Sequence, residues 1–175
     1  GEGGLGKLGY DADKPIVRRS NYAGLAAVLA EIVWGDGLDF LLADLGLSSM
    51  QIDNPERGFS YKHDGPLDMR MNQDRGLPAR EWLARCKPDK LARVLAEGGD
   101  EPEAELIAHA ITASTSPIET TRQLRGVIDS ALPTNLDEDA RKNTVTRVFQ
   151  AIRIAVNEEF TAIDAFLNQL PYCLK

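Results

Sequence analysis

The chain is poor in cysteine, histidine and long apolar runs, and each shortage removes a class of protein. Two cysteines in 175 residues, Cys86 and Cys173, stand far apart with no Cys-x-x-Cys or His partner spacing. That argues against a disulfide framework or a zinc site and favours free thiols in a reducing compartment. With two histidines in all, no second His or Cys lies at ligand spacing from His63, and no metal is expected. No run of 18 apolar residues exists, so no membrane span is expected. The glycine-rich opening has no apolar h-region, so no signal peptide is expected and a cytoplasmic location is. Positive charge is in deficit, with 20 Lys and Arg against 27 Asp and Glu and a net charge of −7. That balance argues against tight non-specific binding to nucleic acid through charge alone, and leaves RNA bound through a local patch open. What the chain does have is 43% apolar residues, enough to bury the core of one domain, or of one core with a modest insertion.

Residues 44–71 carry the most information. They follow an apolar run and hold four aspartates, a glutamate, two prolines and four cationic or imidazole side chains in 28 residues. They have neither helical nor strand periodicity. Loops this long are usually functional or disordered, and a disordered linker would be poorer in Phe, Leu and Met. An ordered, functional loop is therefore expected.

Around it, the spacing of Tyr22, Leu25, Val28, Leu29, Ile32 and Val33 predicts a helix over 20–34, closed by Gly35-Asp36-Gly37. Residues 38–43 read as a short central strand covered on both faces, with Asp44 at its C-terminal end, where open α/β sheets bind ligands. From 78 to 132 only helical patterns occur, in four short helices. Pro88 suits a first helical position; Leu106, Ile107, Ala110 and Ile111 form one stripe, and Leu124, Val127, Ile128 and Leu132 another. Gly98-Gly99, Ser116-Pro117 and Pro133-Thr134-Asn135 punctuate them. Apolar residues from Val145 through Phe160 to Leu170 predict one long helix over 144–170, ended by Pro171.

The string Asp44-Leu45-Gly46-x-Ser48-Ser49-x-Gln51-x-Asp53, then Glu56-Arg57-Gly58-Phe59-Ser60, then Asp64-Gly65-Pro66-Leu67-Asp68-Met69-Arg70-Met71, resembles the signature of the bacterial 16S rRNA cytosine-N4 methyltransferases (the RsmH or MraW family). The segment from Thr146 to Glu159 resembles the family's helix that returns the chain to the core. The resemblance covers residues 20–175 well and 1–19 poorly. It implies an α/β protein: a partial Rossmann-like class I core that uses S-adenosyl-L-methionine, with an inserted all-helical domain. Residues 1–52 and 148–175 would be the incomplete core. Residues 53–147 would be the signature loop and the helical insertion that recognises substrate. The implied partner is 16S rRNA within the small ribosomal subunit, with no membrane, and a homodimer is the oligomer to test.

By the same resemblance, Gly3 and Gly4 hold the donor moiety of the cofactor, Asp11 its ribose hydroxyls and Tyr22 its adenine face, with Asp44 and Gln51 completing the contacts. Tyr22 stands where the family has Phe, and a core aromatic is the equal alternative. Methylating an exocyclic amine needs acceptors that pull on its protons, and a base unstacked into a pocket. Asp44, Ser48 and Ser49 are the candidates to supply that chemistry, with a turn cap as the competing role for Asp44. Arg57, Lys62 and Arg70 are candidate phosphate contacts; the competing reading pairs them with Asp53, Glu56, Asp64 and Asp68, leaving one or two facing RNA. Arg153 and Asn157, four apart on one helix face, line the pocket or cap a neighbouring loop, and the pocket is favoured. His109-Ala110-Ile111-Thr112-Ala113-Ser114-Thr115-Ser116 lacks the family's basic residues, which weakens the expected grip of the insertion on RNA. The chain also resembles a fragment. Gly1-Glu2-Gly3-Gly4 looks like the tail of a Gly-x-Gly-Gly-His loop with Leu5 in the His place, and the family's last strands have no counterpart after Lys175. A poor catalyst is expected from the chain as it stands. A noncatalytic ribosome-binding or structural remnant, and an amino-methyltransferase with another substrate, remain the alternative functions.

Overall fold

The computed structural model describes residues 16–32 and 34–175; the expected cofactor residues Gly3, Gly4 and Asp11 lie outside them. Eight helices are described: α1 (Leu25–Glu31), α2 (Ser49–Ile52), α3 (Ala79–Arg85), α4 (Pro88–Gly99), α5 (Ala104–Thr112), α6 (Thr121–Ala131), α7 (Glu138–Val156) and α8 (Glu159–Cys173). The chain forms two compact units, Gly1–Leu42 with Thr161–Lys175, and Ala43–Phe160.

In the smaller unit the helix expected over 20–34 is shorter. Asn21 caps a 3-10 turn at Tyr22–Gly24 by accepting from Ala23 N, and α1 follows. The strand expected over 38–43 is not there. Leu38 alone pairs, in a parallel bridge with Leu174, donating to Cys173 O at 2.7 Å and accepting from Lys175 N at 3.1 Å. Phe40 and Leu42 are 78% and 83% exposed. A strand exists only through its neighbours, and among the described residues no ladder forms beyond two isolated bridges. An apolar run signals that a segment can be buried, and carries no information about which chain pairs with it.

The larger unit is built on α3 to α7, with α4 packed against both α5 and α7. The punctuation read from the sequence places these helices well. Pro88 opens α4 as its first residue, where its missing N–H costs no intrahelical bond. Thr120 and Gln123 form a capping box at the start of α6, and the Asp137 carboxylate accepts from Ala140 N at 2.7 Å to start α7. Leu91 and Leu95 of α4, Ile107 of α5, Leu124 and Ile128 of α6 and Ile152 of α7 are fully buried, and each contributes about 1.5–3 kcal/mol.

Three details depart from the periodicity. Leu106 is exposed, and the buried stripe of α5 is Ala104, Ile107, Ala108 and Ile111; in so short a helix one apolar residue more does not move the face. The long helix expected over 144–170 is two, α7 and α8, separated at Asn157 and Glu158, so that Phe160 and Leu167 fall outside the buried stripe. Pro171 does not end α8, which runs on to Cys173; in the last turn a proline removes a bond where the helix is about to stop anyway.

Candidate functional site

The signature loop is ordered, and its two halves differ. The first half, residues 44–54, is open. Gln51 turns back on Ser48 within the single-turn α2: its Oε1 accepts from Ser48 N at 3.1 Å and from Ser48 Oγ at 3.3 Å. The Gln51 amide oxygen is therefore engaged by Ser48, and the Ser48 hydroxyl, having donated its proton, keeps lone pairs that can accept. Ser49 is exposed at the first position of α2. Asp44 is exposed and makes no hydrogen bond or ion pair among the described residues. It caps nothing, so the competing reading as a turn cap is not what the geometry gives.

The second half, residues 55–71, is stitched to the helices and to itself. Leu67 and Met69 are fully buried and Phe59 nearly so, all within the main apolar cluster. Two glycines allow two strands of the loop to touch. A Cβ on Gly58, whose φ is +69°, would lie 2.8 Å from Asp68 N and closer still to Pro66 O. One on Gly65 would lie 2.8 Å from the Pro55 carbonyl carbon and closer still to its oxygen. No other residue fits either place. Thr121, fully buried at the start of α6, donates from Oγ1 to His63 O at 3.1 Å and accepts from Gly65 N at 3.2 Å, while its own N–H donates to Gly65 O at 3.0 Å. Nothing in the loop's own composition pointed to Thr121; the Thr120-Thr121-Arg122-Gln123 capping signature was the available signal.

The cations of the loop separate by role. Arg57 is not at the surface waiting for phosphate. Its Nη2 donates to Arg70 O at 2.6 Å and Met71 O at 3.0 Å, its guanidinium lies 5.5 Å from the centre of the Phe59 ring, and its Nε is buried without a partner. Arg70 forks onto Asp68, Nε to Oδ1 at 2.9 Å and Nη2 to Oδ2 at 2.8 Å. Burial pushes the Asp68 carboxyl up, but hydrogen bonds from the Arg70 side chain and amide, helped by the charges of Arg70 and Arg80, outweigh it and hold the group below its ordinary range. Hydrogen bonding to Asp68 raises Arg70 in turn. Asp53 and Glu56 pair with none of the loop cations, and Asp64 faces Arg122 of α6 at 3.5 Å. Lys62 is exposed, with no side-chain partner among the described residues. Of the pairings expected with the loop's own acids only Arg70 with Asp68 forms, Arg57 bonding backbone carbonyls instead, and Lys62 is left to meet an outside anion.

Arg153 and Asn157 are committed as well. Arg153 forms a two-pronged ion pair with Glu159, at 2.8 and 3.2 Å. Asn157 accepts from Met71 N at 2.6 Å and donates to Met69 O at 2.7 Å and Arg153 O at 2.9 Å. The loop-capping alternative is the one adopted, because every polar atom of the Asn157 side chain already has a backbone partner. Tyr22, in the other unit, packs edge-on against Phe166 at 5.7 Å between ring centres and is half-buried. Among the described residues no group of three or more His, Cys, Asp or Glu is placed to hold a metal ion, and no helix is long and apolar enough to cross a membrane. An open depression lined by Asp64, Pro66, Arg80 and Glu119 includes none of the residues expected to bind cofactor.

One loop segment thus carries the exposed Asp44, Ser48 and Ser49 side chains, next in sequence to a half that is stitched into a helical unit. Residues 8–175 match the MraW methylase family, and the chain belongs to that family. It is 42% identical to Ribosomal RNA small subunit methyltransferase H 1 of Agathobacter rectalis, over 98% of this chain and 50% of that protein. It is 42% identical to Ribosomal RNA small subunit methyltransferase H 2 of Alkaliphilus metalliredigens, over 95% and 49%, and 48% identical to the methyltransferase H of Thioalkalivibrio sulfidiphilus, over 78% and 43%. The chain spans about half the length of the curated relatives it matches.

Proposed function

We propose that this chain belongs to an S-adenosyl-L-methionine-dependent enzyme that methylates N4 of a decoding-centre cytidine in 16S rRNA, within the small ribosomal subunit and in the cytoplasm. The observation that carries the reading is the exposed Asp44 carboxylate, without a partner among the described residues, at the head of a signature loop whose far half is buried and hydrogen-bonded. Family membership and the names of the relatives support it.

The bound cofactor supplies an electrophilic methyl group on a sulfonium. The chain's own task is to hold the amine and draw off its proton. Asp44 is uncommitted and fits an amino or hydroxyl donor, whether of the cofactor or of the target base. The Ser48 lone pairs and the Ser49 hydroxyl are the further proposed acceptors of the same loop. Gln51 fits less well in its present state, because its oxygen is engaged by Ser48; its amide N–H2 remains the group for a cofactor contact. Tyr22 offers a ring for the adenine, and Gly3, Gly4 and Asp11 complete the proposed set. These residues belong to a proposed Rossmann-like core of 1–52 and 148–175, with 53–147 as the substrate-recognition lobe. Lys62 is the proposed phosphate contact of the loop. Arg57, Arg70, Arg153 and Asn157 act through the loop's shape instead.

The test is transfer of labelled methyl groups to small subunits lacking the modification, with the product nucleoside identified by mass spectrometry. N4-methylcytidine at one position is the expected result. Cofactor binding without label in 16S rRNA would redirect the search to another amino acceptor. No cofactor binding at all, by the protein as the cell makes it, would favour a noncatalytic ribosome-binding role.

A further inference from the structure

Among the described residues, three that are not glycine have positive φ, and two of them flank Asn157 in space: Met69, at +60°, and Glu158, at +51°. Left-handed backbone at such residues persists only where the surroundings over-determine it, and it concentrates at functional sites. Asn157 bonds the first through its side chain and precedes the second in the chain. Asn157 is the C-cap of α7. Its amide holds Met69 O and Met71 N, on either side of Arg70, at 2.7 and 2.6 Å. Its third bond, to Arg153 O, fixes its own rotamer. One turn back, Arg153 reaches across the break to grip Glu159, the first residue of α8. From the opposite side Arg57 donates to Arg70 O and Met71 O. The Arg70 backbone is thus clamped between Arg57 and Asn157, while its side chain is locked on Asp68.

We propose that Asn157 is a positioning residue: it couples the break between α7 and α8 to the end of the signature loop, and so sets the loop's shape for the reaction without touching substrate. The role rests on the methyltransferase reading given above. The chemistry of a loop demands placement within fractions of an ångström, and three bonds from one amide to three backbone groups supply it. An apolar or one-sided residue at 157 leaves the Met69 carbonyl and the Met71 amide unpaired where water reaches them poorly.

The experiment compares Asn157→Ala and Asn157→Asp with the parent protein as the cell makes it. Asp keeps the acceptor for Met71 N–H and lacks both donors, so it remains informative if the Ala variant fails to fold. Hydrogen exchange by mass spectrometry reads the peptide covering 57–71, with peptides from α4 and α6 as internal reference. Exchange in 57–71 is expected to rise about tenfold or more in both variants, the scale of a lost buried hydrogen bond, the Asp carboxylate now facing the Met69 and Arg153 carbonyl oxygens, with α4 and α6 unchanged. Methyl transfer should lose kcat by a similar factor in both, while KM for S-adenosylmethionine stays within about twofold. Unchanged exchange in 57–71 overturns the proposal, and so does a loosened loop with the parent kcat. If the parent protein transfers no methyl group to small-subunit rRNA, the methyltransferase reading falls, and the exchange pattern alone then decides whether Asn157 holds the loop.

Discussion

The two halves of the signature loop, 44–54 and 55–71, are equally rich in polar residues and equally part of one motif, yet they do opposite work. The near half leaves Asp44 and Ser49 exposed and ties Ser48 only to Gln51, its neighbour in the same turn. The far half commits Arg57, Asp64, Asp68 and Arg70 to the protein itself and drives Leu67 and Met69 into the core. A motif therefore mixes residues that act with residues that hold, and side-chain type does not separate them. Arginine, the residue best suited to phosphate, is scaffolding at position 57.

Substitutions that respect this division should fall into two groups. The largest effect is expected from Gly65→Ala or Gly58→Ala. Each forces a methyl group into a facing backbone and should cost about 3 kcal/mol or more of stability, measured by urea unfolding. A wild-type midpoint for both would show that the far half is not rigid. Next comes Asp68→Asn, which weakens the fork with Arg70 and should cost about 1–3 kcal/mol. Because the Asp68 carboxyl is held below its ordinary value of 3.8, its contribution is present above that pH and is lost as pH falls through the lower folded value. The urea midpoint of the parent protein should thus drop on acidification below about pH 4, and Asp68→Asn should flatten that part of the curve. A smaller and purely functional effect is expected at Asp44. Asp44→Ala should weaken cofactor affinity or turnover about tenfold, with stability unchanged within about 0.5 kcal/mol; a fall in melting temperature with normal turnover would reverse the assignment. Smallest of all, Ser48→Ala removes one bond of an exposed single-turn helix and should cost about 0.5–1 kcal/mol, visible as a slight shift in the same unfolding curve.

The helices of 78–132 were legible because Pro88, Ser116-Pro117 and Pro133 act locally, through φ and missing donors, and because Ile107, Leu124 and Ile128 recur at helical spacing. The order of the loop was legible from its Phe, Leu and Met. The break at Asn157 was not, since the apolar stripe from Val145 to Leu167 runs across it without a gap, while the left-handed Glu158 and the bonds of Asn157 to Met69 and Met71, more than 80 residues earlier, leave no mark in that stripe. The strand expected over 38–43 failed for a related reason: alternation and burial are properties of a segment, whereas pairing belongs to two. At the site, Asp44 is exposed and has no side-chain partner among the described residues. For Arg57, Arg153 and Asn157 two readings stayed open, because committed and available polar groups look alike until their partners are known.

Thr121 and Asn157 have a consequence in time. The bonds that stitch the loop span 56 residues at Gly65 to Thr121 and 88 at Met69 to Asn157. On a ribosome making about 5–20 residues per second, the loop emerges seconds before the partners that shape it. Such distant closures are the slow events of folding. The segment is therefore made before the bonds that fix it can close: Gly65 waits for Thr121, and the Met69 carbonyl and Met71 amide wait for Asn157.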